Sequence, residues 1–553
     1  MGLGVLADKH LGENVPGTEL LDDLHASRRR VHAADSHLKR DKHGLVLIPQ
    51  PSDDPEDPLN WPLWRKNALM LVICYGAGLV GAFGPIIGAG LVTVAEDLKT
   101  TPDAISKLTG DTVLAIGLFL LITAPCSVLW GRRPVFLVGN ILLLASSIWS
   151  ALAADVSSLT AARVIGGCGM APIEALVEAT VADLFFVHER GLWISIWSFA
   201  LLGGINLVYI VNGFLIQNVS WRVCFVIEGA LFAVLLVLTI LFVPETAYVR
   251  KEVSTLSEET PSSDMVEPVA IENTKEKEGT ASNAGSSDIE LQQPSPPQSQ
   301  FTTKQFLQSL KPWTGERYTE TSFLTLAIRP FSLVPSPIVL WGTLIYGTTQ
   351  CWLVLLSVSI SLLFSTPQFG YNFGAGAVGL ISGVGPLIAS FLGNAITGPL
   401  SDWSVTRLAR MNGGVYEPEF RLVMIIPVLV TQTMGWFGWA ISAHLLEPWI
   451  APAIFDSLIN FGQAVAGIAV VAYVVDAHPN YAPETFAVIN ALKNCFIFGI
   501  TYVAIPWIEN QGVLKCFSTI GGLVIAVCLT TIPMYIYGKR ARSWVHRTRW
   551  VLT

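Results

Sequence analysis

Residues 112–155 read TVLAIGLFLLITAPCSVLWGRRPVFLVGNILLLASSIWSALAAD. Two apolar runs, 112–130 and 135–154, flank Gly131-Arg132-Arg133-Pro134, and neither contains an Asp, Glu, Lys, Arg or His. A bilayer core of about 30 Å takes about 20 apolar residues at the helical rise, which is the length of each run. The stretch therefore predicts two spanning helices joined by a tight basic turn.

Working outward, similar runs lie at 67–92, 160–184, 194–217 and 223–243, and again at 338–362, 377–400, 423–443, 449–475, 485–507 and 516–537. Polar turns such as Asp155–Thr160 and Gln217–Arg222 bound them. With the quoted pair they make twelve, six on each side of a polar stretch, and predict an all-α membrane protein of two pseudo-symmetric six-helix bundles. Composition agrees: the 553 residues are 52% hydrophobic and 14% charged, against about 25% charged in a typical soluble domain. The predicted organisation is an N-terminal tail (1–66), a first bundle (67–243), a linker (244–337), a second bundle (338–537) and a basic C-terminal tail (538–553). Asp183 closes the fourth span and Asp476 the tenth, followed by Glu189 and Glu484, as expected of two related halves.

Lys and Arg cluster at Arg28–Arg30, Arg65-Lys66, Arg132-Arg133, Arg407-Arg410-Arg421 and Lys539–Arg547, all on one side of such a topology. The opposite loops hold few, among them Lys99, Lys107, Arg222 and Lys515. Because cytoplasmic loops carry the basic excess, both termini are expected in the cytoplasm. The net charge of -8 owes much to acids between Glu252 and Glu290, and nothing resembles a nucleic-acid footprint. Residues 250–300 are too polar to bury a core and read as a flexible linker. Residues 301–330, around Phe306 and Trp313, read either as an amphipathic segment on the membrane or as loop leading to the seventh span. The eight cysteines show no disulfide or zinc spacing, and the polar N-terminus shows no signal-peptide core. The glycine-rich stretches 166–169, 203–204 and 374–379 lie in apolar helices without the Lys-Ser/Thr of a phosphate loop and read as packing surfaces. No cofactor, metal cluster or catalytic constellation is read, and no enzymatic activity is expected.

Intramembrane carboxylates are costly and usually face a cavity or a partner. Glu174 and Glu178, four apart on the fourth span, are expected on one helix face as a reversible proton site or as ligands for a cationic substrate. A plain interhelical contact, with Arg163 on the same helix, is the structural alternative. Glu228 and Asp456, nearer span ends, read as solvated interfacial groups. Lys493, beside Asn494 on the eleventh span, reads either as half of a salt bridge that opens and closes or as a fixed interhelical bond. Asn206, Asn212, Tyr346, Gln350, Trp352, Asn460 and Gln463 are the polar and aromatic candidates for a substrate cavity.

Two loops resemble the paired signature of the major facilitator superfamily: Trp130-Gly131-Arg132-Arg133-Pro134 and Gly398-Pro399-Leu400-Ser401-Asp402-Trp403. Stretches 54–61, 183–191, 244–248, 412–421 and 493–499 resemble fungal members of its drug:proton antiporter branch. The resemblance implies gating or conformational roles for Arg132, Arg133, Asp183, Arg190, Asp402, Asp476, Lys493 and Asn494. Two departures stand out. The family's Gly and Asp of the first signature loop fall on Ala124 and Val128, and the antiporter Gly-Pro of the fifth span falls on Val208-Tyr209. The resemblance further implies a monomeric plasma-membrane transporter that expels a drug or secondary metabolite against a proton gradient. Uptake of a polyamine or other organic cation, and a non-transporting membrane sensor, are the rivals the departures keep open.

Overall fold

A computed structural model describes residues 57–248, 317–366, 371–478 and 482–548, together with residues 3–6, 8, 15, 17–20, 51, 52, 54, 311–313 and 315, the side chains of 19, 20, 187–189, 191, 482 and 483 excepted. The linker at 250–300, the residues around Phe306, Arg28–Arg30 and the Glu189 side chain lie outside the described residues. Among the described residues, twelve helices are long and apolar enough to cross a membrane.

In the first half these are α1 (Leu63–Phe83), α2 (Pro102–Trp130), α3 (Arg132–Leu152), α4 (Val156–Ala175, continuing as Val177–Leu184), α5 (Val187–Asn218) and α6 (Trp221–Phe242). The second half has α7 (Pro337–Ser365), α8 (Ala375–Met411), α9 (Ile425–His444), α10 (Ile450–Ala477), α11 (Ala482–Gln511) and α12 (Val513–Leu529, continuing as Thr531–Arg547). The polar turns at Asp155 and Ser220 start helices as expected, whereas the second span starts at Pro102, ten residues before its expected limit at 112. Thr101 accepts from Ala104 N at 3.3 Å, Asp155 from Ser158 N at 2.8 Å and Ser220 from Arg222 N at 3.3 Å, each meeting a backbone donor that a helix start leaves over.

Several spans differ from their expected limits. The first begins at Leu63, directly after Pro62. Its helix then breaks at 84–90 before a short helix, Leu91–Asp97. The seam is held by other spans: Arg163 donates to Phe83 O at 2.6 Å and Gly84 O at 2.5 Å, and Asn212 donates to Ile86 O at 2.8 Å. Arg163 is thus committed to the end of α1, and the contact with Glu174 that was the structural alternative is not made. Pro172, which lacks an N–H, precedes a break in α4 at Leu176. That break separates Glu174 from Glu178, so the single continuous face expected for the pair is interrupted. α8 runs to Met411, past its expected end at 400, its last turns carrying Asp402, Arg407 and Arg410 beyond the apolar run.

Each half has its own apolar core. Phe83 packs edge-on against Phe232 in the first, with centroids 5.6 Å apart, and Trp436 stacks on Phe517 at 6.1 Å in the second. Leu71, Leu118, Val138, Ile141, Val237 and Met434 stay exposed, as lipid-facing surface would. The described helices on both sides of the linker form one compact unit. One membrane face, the tail face, holds the start of α1, the end of α12 and the described tail; the other is the far face. At the tail face β1 (Glu19–Leu20) pairs antiparallel with β2 (Val415–Tyr416), and Ser543 donates to Asp8 at 2.8 Å.

Candidate functional site

The halves meet along α2 with α11 and α5 with α8. Close approach needs small residues, and glycines supply it. A Cβ built on Gly379 would lie 2.2 Å from Tyr209 O, one on Gly213 2.6 Å from Ala375 O, and one on Gly110 1.9 Å from Thr501 Oγ1. These positions, with the bonds Gly376 N to Gln217 Oε1 and Tyr502 OH to Asp111 Oδ1, both 2.8 Å, lie toward the far face. At the tail face Leu192, Trp403 and Asp402 are exposed and a Cβ on Gly398 would meet nothing within 4 Å. The arrangement is closed on the far side.

Beneath that closure, Lys493 Nζ on α11 lies 3.2 Å from Glu174 Oε1 on α4, with the side chains 7% and 19% exposed. The ammonium also sits 5.1 Å from the centroid of the Tyr346 ring on α7. One ion pair thus ties the two bundles at mid-membrane. Glu178 is half-buried, and no ion pair or hydrogen bond is recorded for it among the described residues. Gln350 is half-buried one turn beyond Tyr346. Trp352 is buried edge-on against Trp507, with centroids 6.1 Å apart. On α10, Asn460 donates to Asp456 Oδ1 at 3.0 Å, and Gln463 is buried with Oε1 unpartnered among the described residues. Asn494 is buried against Gly117, its Nδ2 without a partner among the described residues. Asn206 turns back to Leu202 O at 3.1 Å and Asn212 holds the α1 seam, so both are spent on backbone. Glu228 and Asp456 are buried at 6% and 2% exposure, which corrects the solvated interfacial placement expected for them.

The tail face carries a second set of ion pairs, each within one half. Arg132 pairs with Asp183 at 2.5 Å, while Glu245 accepts from Arg132 N at 2.8 Å and Arg133 N at 3.2 Å. A carboxylate at the start of α3 meets both free backbone donors and the positive helix end. Arg133 reaches Val243 O at 2.9 Å and Ile240 O at 3.0 Å, fixing the end of α6. The acid missing at Val128 is therefore supplied from the ends of α4 and α6. In the second half Arg421 pairs with Asp476, which also accepts from Tyr416, and Arg421 lies 3.8 Å from Asp402. Arg190 closes the end of α4 through Phe185 O and Ala182 O, both at 3.0 Å. Burial first, and the Asp476 carboxylate second, push the Tyr416 hydroxyl above the usual phenol range.

Sequence reasoning assigned no role to the network in which Arg542 pairs with Glu417 and Glu419, both at 2.8 Å, and Lys539 with Glu417 at 2.5 Å. Its signal was the paired acids of Glu417-Pro418-Glu419 in an otherwise apolar approach to α9. Nearby, the His478 ring lies 3.3 Å from Ser336 Oγ, and burial, then the Arg542 charge, push its pKa down to about 4.

The family model described as the Major Facilitator Superfamily matches residues 68–501. An uncharacterised MFS-type transporter of Schizosaccharomyces pombe is 28% identical, over 96% of this chain and 93% of its own length. The efflux pump radE of Floropilus chiversii is 26% identical, over 89% of this chain and 84% of its own. Among solved structures, a D-xylose-proton symporter superposes with a TM-score of 0.55 at 17% identity, covering 86% of this chain and 99% of that one.

Proposed function

The chain belongs to the major facilitator superfamily, and from that premise we propose a secondary active transporter that expels a small organic molecule in exchange for protons. The two bundles rock about the mid-membrane cavity, exposing it to one face at a time. The observation that carries this reading is the Glu174–Lys493 pair, which joins the halves under a closed far side. A carboxylate that exchanges Lys493 for a proton or a substrate cation links ligand binding to the separation of the bundles. The basic clusters favour a cytoplasmic tail face, and with that orientation the arrangement described is open inward. Efflux follows the resemblance to fungal drug antiporters and the similarity to an efflux pump. The protein acts as a monomer in the plasma membrane, and no covalent chemistry is required of it.

The test is flux in sealed vesicles of purified protein, with a panel of cationic and neutral organic compounds, with and without an imposed proton gradient. Substrate should move opposite to protons, and Glu174→Gln should abolish the coupling. Movement with the protons would mean symport, and flux indifferent to both gradient and mutation would reduce Glu174 to a structural residue. The second reading, uptake of an organic cation, is favoured by the buried carboxylate of Asp456, whose Oδ2 has no partner among the described residues.

A further inference from the structure

Leu340 and Leu344 of α7 and Pro533, Tyr537, Arg540 and Trp544 of α12 line an open groove of about 510 Å³ near the tail face. Its inner wall includes the buried Trp341, whose Nε1 donates to Thr531 Oγ1 at 3.1 Å, where α12 is interrupted at Thr530. Pro533, Tyr537, Arg540 and Trp544 follow one another at helical spacing and share one face of α12. Leu340 and Leu344 are exposed across from them, as are Tyr537 and Trp544. The other basic residues of this stretch are engaged elsewhere. Lys539 and Arg542 are buried in the network with Glu417 and Glu419, and Arg547 donates to Ser543 O at 3.3 Å. No Asp or Glu lines the groove among the described residues.

Depth in the membrane identifies the occupant. The apolar run 516–537 centres near Val527, and Arg540 stands about 20 Å further along at the helical rise. A hydrocarbon core of about 30 Å in a bilayer of about 40–45 Å sets the headgroups about 15–22 Å from the centre. The Arg540 guanidinium is therefore at headgroup depth, while Leu344 and Pro533 lie among the acyl chains. Tyr537 and Trp544, one turn to either side, are rings of the kind that settle at this boundary. An apolar wall below one guanidinium suits a lipid tail below its phosphate. With no carboxylate in the lining, a headgroup ammonium would find no partner, so the charge of the groove complements a headgroup that is negative overall.

We propose that this groove binds one anionic phospholipid of the tail-face leaflet, with an acyl chain along Leu340, Leu344 and Pro533 and its phosphate on Arg540. The site belongs to the surface of the second bundle, apart from Glu174 and Lys493, and stands independently of the transport reading. Because its walls come from two helices, a bound lipid braces the start of α7 against the interrupted end of α12.

The experiment uses purified full-length protein in a neutral detergent, with phosphatidylglycerol, phosphatidylcholine and inorganic phosphate as probes. Native mass spectrometry reads bound lipid, and thermal melting reads stabilisation. Wild type should retain one phosphatidylglycerol and melt higher with it, hold phosphatidylcholine more weakly, and show no response to inorganic phosphate. Arg540→Gln should weaken phosphatidylglycerol by roughly fivefold and leave phosphatidylcholine nearly unchanged, with Arg540→Lys retaining part of the preference. Leu344→Trp, which fills the groove while Arg540 stays in place, should weaken both lipids. Should Leu344→Trp fail to fold, the ratio of the two lipids in Arg540→Gln decides alone. Equal retention of both lipids by wild type, an unchanged preference in Arg540→Gln, or stabilisation by inorganic phosphate alone would each overturn the assignment. So would lipid retention that begins only once residues 549–553 are removed, which would give the groove to the chain's own end.

Discussion

Lys493→Met should tip the protein toward the far-open arrangement. Removing one partner of a buried ion pair costs about 3–5 kcal/mol, mostly because the other charge stays buried alone. Glu174 is 19% exposed, so part of that penalty is relieved by solvent, and about 2–3 kcal/mol is the appropriate figure. The pair exists only while the bundles meet, so the loss falls on the far-closed state and shifts its population by roughly 30- to 150-fold. The shift is readable in hydrogen exchange at the start of α8, where Gly376 N–H is bonded to Gln217 of the other half. Exchange there should quicken strongly in Lys493→Met and in Glu174→Gln, and return most of the way in the double variant, where neither charge is stranded. Equal exchange in wild type and both single variants would refute the argument that this pair helps hold the far side closed.

Gly379→Ala should prevent far-side closure, because its Cβ would lie 2.2 Å from Tyr209 O, and flux in vesicles should fall by more than tenfold with folding intact by circular dichroism. Glu245→Ala removes the carboxylate that meets two backbone donors at the start of α3; it should cost about 1–2 kcal/mol, seen as a lower melting temperature, with Glu245→Gln intermediate. His478 stays neutral in the folded protein down to about pH 4, whereas an unfolded imidazole takes its proton near 6.5. Between those values the unfolded state binds more protons, so stability falls as pH drops through the window, by about 2 kcal/mol at pH 5. His478→Asn should flatten the melting temperature's dependence on pH between 7 and 5, and an unchanged slope would show that other groups set it.

Twelve helices were legible because each must satisfy its backbone within the bilayer, and that demand writes a run of about 20 apolar residues into the chain. The starts at Asp155 and Ser220 were legible for a similarly local reason, since a side chain a few positions away meets a free N–H, whereas the helix capped by Thr101 starts ten residues ahead of the apolar run, and that start was not. Breaks were harder. Pro172 signals the bend in α4, but the interruption of α1 at 84–90 is held by Arg163 and Asn212, from two other spans. An arginine in a spanning run suggests a carboxylate partner, and only the packing reveals that backbone carbonyls have taken that place.

The site divides in the same way. Cost alone marked Glu174, Lys493 and Asp456, since any charge within a spanning run needs a reason to be there. Their partners were another matter: Glu174 and Lys493 are 319 positions apart, and no periodicity within one helix carries information over that distance. Hydropathy likewise could not tell a buried Asp456 from a solvated one near the same helix end, because accessibility depends on which helices cover it. The sequence by itself determined how many times the chain crosses and which residues are expensive to place there, both local consequences of lipid as solvent. The tertiary structure decided which costs are met by a partner in the other bundle, as at Glu174, and which are left half-met, as at Asp456, because that depends on the packing of helices distant in the chain.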